Sequence, residues 1–207
     1  ASAWRRAVAR SGGGSALATL LGDGTAGEAL SGRRVFSTRG QHAFDTVQWE
    51  TRDARIGHGG KIAFEQTDVE FPKTWSQNST NIVAQKYFRG RLSSPERESS
   101  VKQMVGRVVD TAVAWGKQGG YFADDEEAET FEAELKTILV NQYASFNSPV
   151  WFNVGFEEKP QCSACFILSI DDTMDSILDW IRREGVLFRG GSGSGANLPP
   201  LPSSQEP

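Results

Sequence analysis

The chain has 207 residues with a formal net charge of −4, and 38% of its residues are hydrophobic. Its length allows one domain of ordinary size or a small domain with part of another, and its acidic balance provides no basic surface for nucleic acid. Apolar runs are broken within about ten residues, too few to cross a bilayer, and two cysteines do not make a disulfide-stapled secreted scaffold. We therefore expect a cytoplasmic protein without membrane or nucleic-acid partners.

Residues 1–43 are rich in Gly, Ala, Ser and Arg without sustained periodicity, which predicts a flexible extension. Residues 44–146 predict a mainly helical region with three helices. The first is expected over residues 75–88, and the third in and after the acidic run 124–127, because acids suit the positive end of a helix dipole. Their candidate core residues are Ile82, Val83, Tyr87 and Phe88 in the first helix, and Phe131, Leu135, Ile138, Leu139 and Tyr143 in the third.

The second helix of this region is predicted from signals at both ends. Ser94, Pro95 and Glu96 form a typical helix start, with a hydroxyl N-cap, a proline in the first position and an acid in the first turn. Gly119-Gly120 is a stop signal. Between them, apolar residues recur about every 3.6 residues and predict a buried face made of Val101, Met104, Val105, Val108, Val109, Ala112 and Val113.

After residue 146 the pattern becomes that of an α/β domain. The predicted elements begin with a turn at residues 147–149, an extended piece at 150–152 and a buried strand at 165–170. A helix from Asp172 to Gly185 follows, and then a strand-like piece at 186–188 and a glycine-rich loop at 189–198. The residues of this helix expected to face inward are Met174, Ile177, Leu178 and Ile181. Residues 199–207 contain four prolines, which predict an irregular tail.

Both cysteines lie in one tetrapeptide, Cys162-Ser163-Ala164-Cys165, and three explanations compete. A thioredoxin-like redox pair is disfavoured, because the motif precedes a strand instead of opening a helix whose dipole would stabilise a thiolate. A zinc site would need His42 and His58, which lie far upstream without the spacing of a zinc finger, so we expect no metal site. The simplest structural explanation is that Cys165 is a small apolar residue at the start of a buried strand.

The order of the motifs favours a further interpretation. The strings FNSPVWFNVG, SACFILSIDDTMDSILDW and EGVLFRGGSGSGANL occupy residues 146–155, 163–180 and 184–198. Together with FEQTDVEFPKTWSQNSTNIVAQKYFRG upstream, they resemble the adenosylcobalamin-dependent (class II) ribonucleotide reductases. The resemblance runs in order from residue 44 to residue 198.

This resemblance implies that ribonucleotides, expected as diphosphates, are reduced to deoxyribonucleotides inside a ten-stranded α/β barrel. Residues 44–146 would be the helical N-terminal domain, and residues 147–198 the first strand and helix of the barrel. In the family, adenosylcobalamin generates a thiyl radical, and two further cysteines deliver electrons and become a disulfide. The match places Cys165 as one of these two thiols, with its partner outside this chain, and gives no role to Cys162.

Substrate contacts are also implied by the resemblance. Ser148 matches a hydroxyl that holds the substrate phosphates. Ala164 and Cys165 match main-chain and side-chain contacts to the nucleotide, and Gly193 matches a glycine that lets the backbone approach the substrate. The residue types suit these roles, since a hydroxyl on a turn and a glycine-rich loop with free N–H groups both donate to phosphate.

Enzymes of this family are several hundred residues longer, so the resemblance implies an N-terminal part that is inactive by itself. For the parent enzyme it implies an external dithiol reductant such as thioredoxin, a dNTP or ATP effector, and a homodimer. The tail LPPLPSSQEP departs from the family pattern, with prolines where a serine and an arginine are expected. The alternative function is a non-catalytic helical interaction module whose glycine-rich loop binds an anion.

Overall fold

The computed structural model of the chain describes residues 32–197. Most of the predicted flexible extension (residues 1–31) and the whole predicted proline-rich tail lie outside the described residues. Within residues 32–197, no helix combines the length and the apolar character that a membrane span requires.

The fold begins with a β-hairpin that the sequence analysis missed. Strand β1 (Trp49–His58) pairs antiparallel with β2 (Lys61–Pro72), and the turn between them contains two glycines with positive φ. Burial in β2 is confined to its last residues, including Val69 and Phe71. The hairpin therefore has no long apolar alternation, which is the pattern by which strands are identified. This part of the chain is α+β instead of mainly helical.

Three helices follow the hairpin. Helix α1 (Gln77–Lys86) is capped by Ser76, whose Oγ accepts a hydrogen bond from the Ser79 backbone N–H at 3.1 Å. Helix α2 is Val101–Gly119 and ends at Gly120, which has the left-handed conformation expected of a stop signal. Helix α3 (Asp125–Val140) begins after Asp124, its N-cap, in the predicted acidic run. All three helices are confirmed, although their ends differ from the prediction.

The predicted start of α2 at Ser94 is wrong. The helix begins six residues later than the predicted first position, at Val101, after a capping box formed by Ser100 and Gln103. Tertiary contacts hold the intervening segment in turns: Arg97 donates to the carbonyl oxygens of Phe88 and Gly90 at 2.7 and 3.0 Å. A local start signal is thus overridden by contacts with the segment that follows α1.

The core of the N-terminal part lies between the end of β2 and the three helices. The predicted α2 stripe is confirmed except at Ala112, which is half-buried. Three predicted core residues are exposed: Ile82 at 42%, Phe131 at 36% and Tyr143 at 64%. The apolar residues that form one continuous core cluster include Val69, Phe71, Trp75, Ala84, Phe88, Val101, Met104, Val105, Val108, Val109, Leu139, Trp151 and Val154.

The second part of the chain contains two helices and two strands. They are α4 (Ser148–Asn153), β3 (Cys165–Ser169), α5 (Met174–Arg189) and β4 (Gly193–Asn197). Three predictions are corrected. The turn and extended piece at 147–152 are helix α4, because Asn147 caps it and Pro149 suits its first turn. The strand-like residues 186–188 continue α5 through Gly185. The predicted glycine-rich loop contains strand β4.

Strands β3 and β4 form a parallel two-stranded sheet with α5 as the connection. The described residues contain no closed barrel; where the start of a barrel was expected, they form one β–α–β unit. The strand at 165–169 is not buried as predicted: Ile167 is 89% exposed, although Ile170 just after the strand is fully buried. Helix α5 has no buried residue, and Met174, Leu178 and Ile181 are exposed. Their predicted inward orientation is wrong in this structure, because nothing in the described residues packs on that face.

Residues 32–46, here called the strap, lie along α3. The Glu134 carboxylate accepts hydrogen bonds from the Ser37 backbone N–H at 2.7 Å and from the Phe36 backbone N–H at 3.0 Å. Burial acts to raise the pKa of Glu134, but these hydrogen bonds and that of the Ser37 hydroxyl outweigh it and lower the pKa. The ionised carboxylate is therefore the form that holds the strap.

Because the pKa of Glu134 is lowered, its ionised carboxylate stabilises the folded state at pH values above the ordinary glutamate pKa. This stabilisation is lost as the pH falls through the lowered pKa. We expect hydrogen-exchange protection of the Phe36 and Ser37 amides to decrease in that acid range. Glu134→Gln should reduce this protection at pH 7 and remove its pH dependence. An unchanged acid-dependent loss in the variant would show that the strap is not held by the Glu134 carboxylate.

Candidate functional site

Three of the four predicted site residues meet where β3 and β4 begin. Cys165 is the first residue of β3 and lies opposite Gly193, the first residue of β4. The Gly193 backbone N–H donates to the Ala164 carbonyl oxygen at 2.7 Å. The Cys165 thiol is free and exposed. The structure thus brings Ala164, Cys165 and Gly193 into one backbone cluster at one end of the parallel sheet.

The predicted anion-binding role of a free glycine-rich loop has no support in this geometry. The N–H of Gly193 is already occupied by Ala164, and residues 193–197 pair with β3 along their length. Ser192 also donates its hydroxyl to the Ser163 carbonyl oxygen. Residues 193–197 are held as a strand, because each strand of a parallel pair supplies backbone hydrogen-bond donors and acceptors to the other.

Ser148, the fourth predicted residue, is the first residue of α4. Its Oγ lies 3.1 Å from the hydroxyl of Tyr87, and the Tyr87 ring stacks on Phe152 at 5.3 Å between centroids. The neighbouring Asn147 accepts from the Val150 backbone N–H and donates to the Cys162 carbonyl oxygen at 3.2 Å. One side chain therefore connects the start of α4 with the segment that leads into Cys165.

Cys162 differs from Cys165 in its surroundings. Its Sγ lies 4.0 Å from the Pro160 carbonyl oxygen, and partial burial of the sulfur raises the pKa of the Cys162 thiol although the residue as a whole is exposed. A raised pKa reduces the thiolate fraction at neutral pH. Both thiols are free, so the structure shows no disulfide within the tetrapeptide.

The zinc explanation of the tetrapeptide depended on His42 and His58 as further ligands. In the structure the His42 Nδ1 accepts a hydrogen bond from the Phe44 backbone N–H at 3.2 Å and caps a short 3-10 helix, Ala43–Thr46. Among the described side chains of residues 32–197, which do not include that of His58, no three His, Cys, Asp or Glu residues are grouped in a way that could hold a metal ion.

Arg107 of α2 forms a buried ion pair with Glu98 and also contacts the end of α4. Arg107 and Glu98 approach to 2.7 Å, with only 11% and 10% of their side chains exposed. Arg107 also donates to the carbonyl oxygens of Val154 and Trp151 at 2.6 and 3.2 Å, where α4 ends. These contacts were not anticipated from the sequence, because a single charged residue in a helix stripe gives no sign of a partner elsewhere.

Sequence reasoning also missed the contacts of Tyr87 and Asn147 near the site, and those of Asn153, whose side chain donates to the carbonyl oxygens of Pro149 and Gly190. Tyr87 was assigned only to a core face, whereas its hydroxyl contacts Ser148. Asn147 could have been found, since Asn before Ser-Pro is an N-cap signal for a helix. Asn153 carried no signal in the sequence.

Comparison with protein families identifies the class of protein. A family described as class II vitamin B12-dependent ribonucleotide reductase matches residues 50–93 and 91–142, and a family described as the ribonucleotide reductase barrel domain matches residues 163–207. These two matches lie on either side of residues 143–162 and define the ribonucleotide reductases as the class to which the chain is similar. The chain belongs to the class II, vitamin B12-dependent ribonucleotide reductase family.

Individual relatives agree with this assignment. The chain is 51% identical over 183 residues to the vitamin B12-dependent ribonucleotide reductase of Streptomyces coelicolor, covering 87% of this chain and 19% of that protein. The corresponding protein of Streptomyces clavuligerus is 51% identical over 175 residues, 84% of this chain and 18% of that protein. A ribonucleoside-diphosphate reductase large subunit from African swine fever virus is 40% identical over 61 residues, 30% of this chain and 8% of that protein. The chain thus spans about a fifth of the length of the B12-dependent relatives it matches.

Proposed function

We propose that this chain forms the N-terminal part of a vitamin B12-dependent ribonucleoside-diphosphate reductase that makes deoxyribonucleotides for DNA synthesis. The observation that carries the proposal is the pairing of Cys165 with Gly193 at the start of a parallel strand pair, within the segment similar to the reductase barrel domain. A thiol at the end of a strand is held by backbone hydrogen bonds on a rigid element, which is what precise positioning against a substrate requires.

In this proposal Cys165 is one of two reducing thiols. The two thiols supply two electrons and two protons, a disulfide forms between them, the ribose 2′-hydroxyl leaves as water, and hydrogen replaces it on the sugar carbon. The second thiol belongs to a part of the enzyme outside this chain. The Ser148 hydroxyl would hold the substrate phosphates, while Ala164, Cys165 and Gly193 would contact the nucleotide.

Adenosylcobalamin, when bound, would supply the radical that starts turnover, and we assign none of residues 32–197 to its binding. The proposal further includes an external dithiol such as thioredoxin as reductant, a dNTP or ATP effector, a homodimer and a cytoplasmic location for the complete enzyme. The proposed reductant, effector, homodimer and location rest on membership in the family alone.

The second part of the chain would be the beginning of a ten-stranded α/β barrel. The exposed apolar face of α5 and the exposed Ile167 on β3 support this, because large apolar side chains in such number usually mark surfaces that another part of a protein covers. Further strands and helices of the complete enzyme would pack there. On this view the isolated chain is inactive, because a barrel cannot close from its first strands.

The test is a chimera in which this chain replaces the matching segment of the Streptomyces coelicolor enzyme. With CDP, adenosylcobalamin and dithiothreitol, the chimera should form dCDP, whereas the chain alone should not. The unaltered Streptomyces coelicolor enzyme is the control for assay conditions. A soluble chimera that forms no dCDP, or one that does not fold, would contradict the proposal.

A further inference from the structure

Asn153, the last residue of α4, has a buried side chain with two partners far apart in the sequence. It is 9% exposed. Its Nδ2 donates to the Pro149 carbonyl oxygen at 2.8 Å and to the Gly190 carbonyl oxygen at 3.0 Å. Because a buried amide is costly unless its hydrogen bonds are made, this side chain ties α4 to the turn that precedes β4.

The same turn contacts α4 and the tetrapeptide region at further points. Gly191 has φ of +81°, and a Cβ there would lie 3.0 Å from Cδ2 of Phe152. Gly190 lies close to Gln161, where a Cβ would be 3.2 Å from the Gln161 Cβ. Residues 190–191 therefore lie between α4 on one side and the segment before Cys165 on the other, and a Cβ at either position would be crowded.

We propose that Asn153 is a positioning residue for substrate binding. Helix α4 carries Ser148 at its first residue and holds the turn at 190–191 by its last residue, and Gly193 begins β4 two residues after that turn. The Asn153 amide thereby sets the distance between the Ser148 hydroxyl and the cluster of Cys165 with Gly193. This inference rests on the proposed function only for the identity of the ligand, which is the ribonucleotide. The connection of α4 to the turn at 190–191 through Asn153 does not depend on that function.

Asn153→Asp tests the link in the full 207-residue chain. The aspartate has the same shape but its carboxylate cannot donate, so it faces two carbonyl oxygens without a hydrogen bond. We expect hydrogen-exchange protection of the Ser192 and Gly193 amides to fall about tenfold or more, with β1 and β2 unchanged. The control is Asn78→Asp, the same change at an exposed position of α1.

Gly191→Ala displaces the same turn through its contact with Phe152. It is a second variant that keeps the test valid if Asn153→Asp does not fold. Its added methyl group should displace the turn from Phe152 and reduce protection at the same two amides. Unchanged protection of Ser192 and Gly193 in both variants would overturn the link. So would an equal loss of protection throughout the chain, which would mean a purely global effect on stability.

The effect of Asn153 on substrate binding is tested in the chimera with the Streptomyces coelicolor enzyme. Asn153→Asp should raise KM for CDP about tenfold or more while kcat changes less, since misplacement of binding groups weakens ground-state binding. If the unaltered chimera is inactive, the proposed function fails while the exchange result still stands. If the chimera is active and KM is unchanged in the variant, the positioning role fails while the proposed function stands.

Discussion

Replacement of Cys165 by serine in the chimera is expected to abolish multiple-turnover reduction of CDP, with a loss of about a thousandfold or more. The serine hydroxyl preserves the size and the place of the side chain at the start of β3, but it cannot form a disulfide and so cannot supply electrons. The measurement is dCDP formed per enzyme over several turnovers with dithiothreitol as reductant.

The matched control is Cys162→Ser, three residues away in the same tetrapeptide. Its sulfur has only a distant contact with the Pro160 carbonyl oxygen, and burial raises the pKa of its thiol, so we expect turnover within about twofold of the unaltered chimera. Full turnover by the Cys165 variant would overturn the assigned role. An equal loss in both variants would show that the two cysteines act as a redox pair.

Glu98→Ala is expected to destabilise the chain by about 3–5 kcal/mol, because removal of one partner leaves the charge of a buried ion pair uncompensated. The Arg107 guanidinium would lose its carboxylate partner at 2.7 Å, and the Arg89 backbone N–H would lose its acceptor at 2.8 Å. Since Arg107 also binds the carbonyl oxygens where α4 ends, the damage should reach the helix that carries Ser148. Urea denaturation of the 207-residue chain provides the free energy of unfolding.

Glu96→Ala provides the comparison for this effect. Glu96 lies two residues earlier and is exposed, and a change at such a surface position is usually worth less than about 0.5 kcal/mol. Similar urea midpoints for the two variants and the unaltered chain would mean that the ion pair of Glu98 with Arg107 contributes little to the free energy of unfolding. A double variant in which Arg107→Met accompanies Glu98→Ala should recover part of the loss, since it removes the unpaired charge.

The sequence was most informative where local signals and tertiary packing agree. The stripe from Val101 to Val113 has a helical period and becomes the core face of α2, and Gly120 ends that helix as expected. The order of the motifs was sufficient to identify the reductase family. The site residues near Cys165 were chosen through that family, and the structure brings three of them together, but their roles remain predictions.

The failures have a common cause. Ser94 resembles a helix start, yet Arg97 binds carbonyl oxygens at the end of α1 and holds the segment in turns. The hairpin is exposed along most of β2 and lacks an apolar alternation. The glycine-rich run has the composition of a loop, but β3 provides a backbone partner and makes it a strand. In each case the structure is decided by contact with another segment, which is Phe88 and Gly90 for the first, β1 for the hairpin and β3 for the glycine-rich run.

The sequence by itself determined the helical periodicity, the end of α2 at Gly120, the start of α3 in its acidic run, and membership in the reductase family, because these depend on local chemistry or on motif order. Only the tertiary structure decided that α4 is a helix linking Ser148 to the turn before β4, and that Asn153, Tyr87 and the pair of Glu98 with Arg107 hold it there. The physical reason is that a buried polar group is stabilised by a partner elsewhere in the fold, and a linear sequence does not show which partner it will meet.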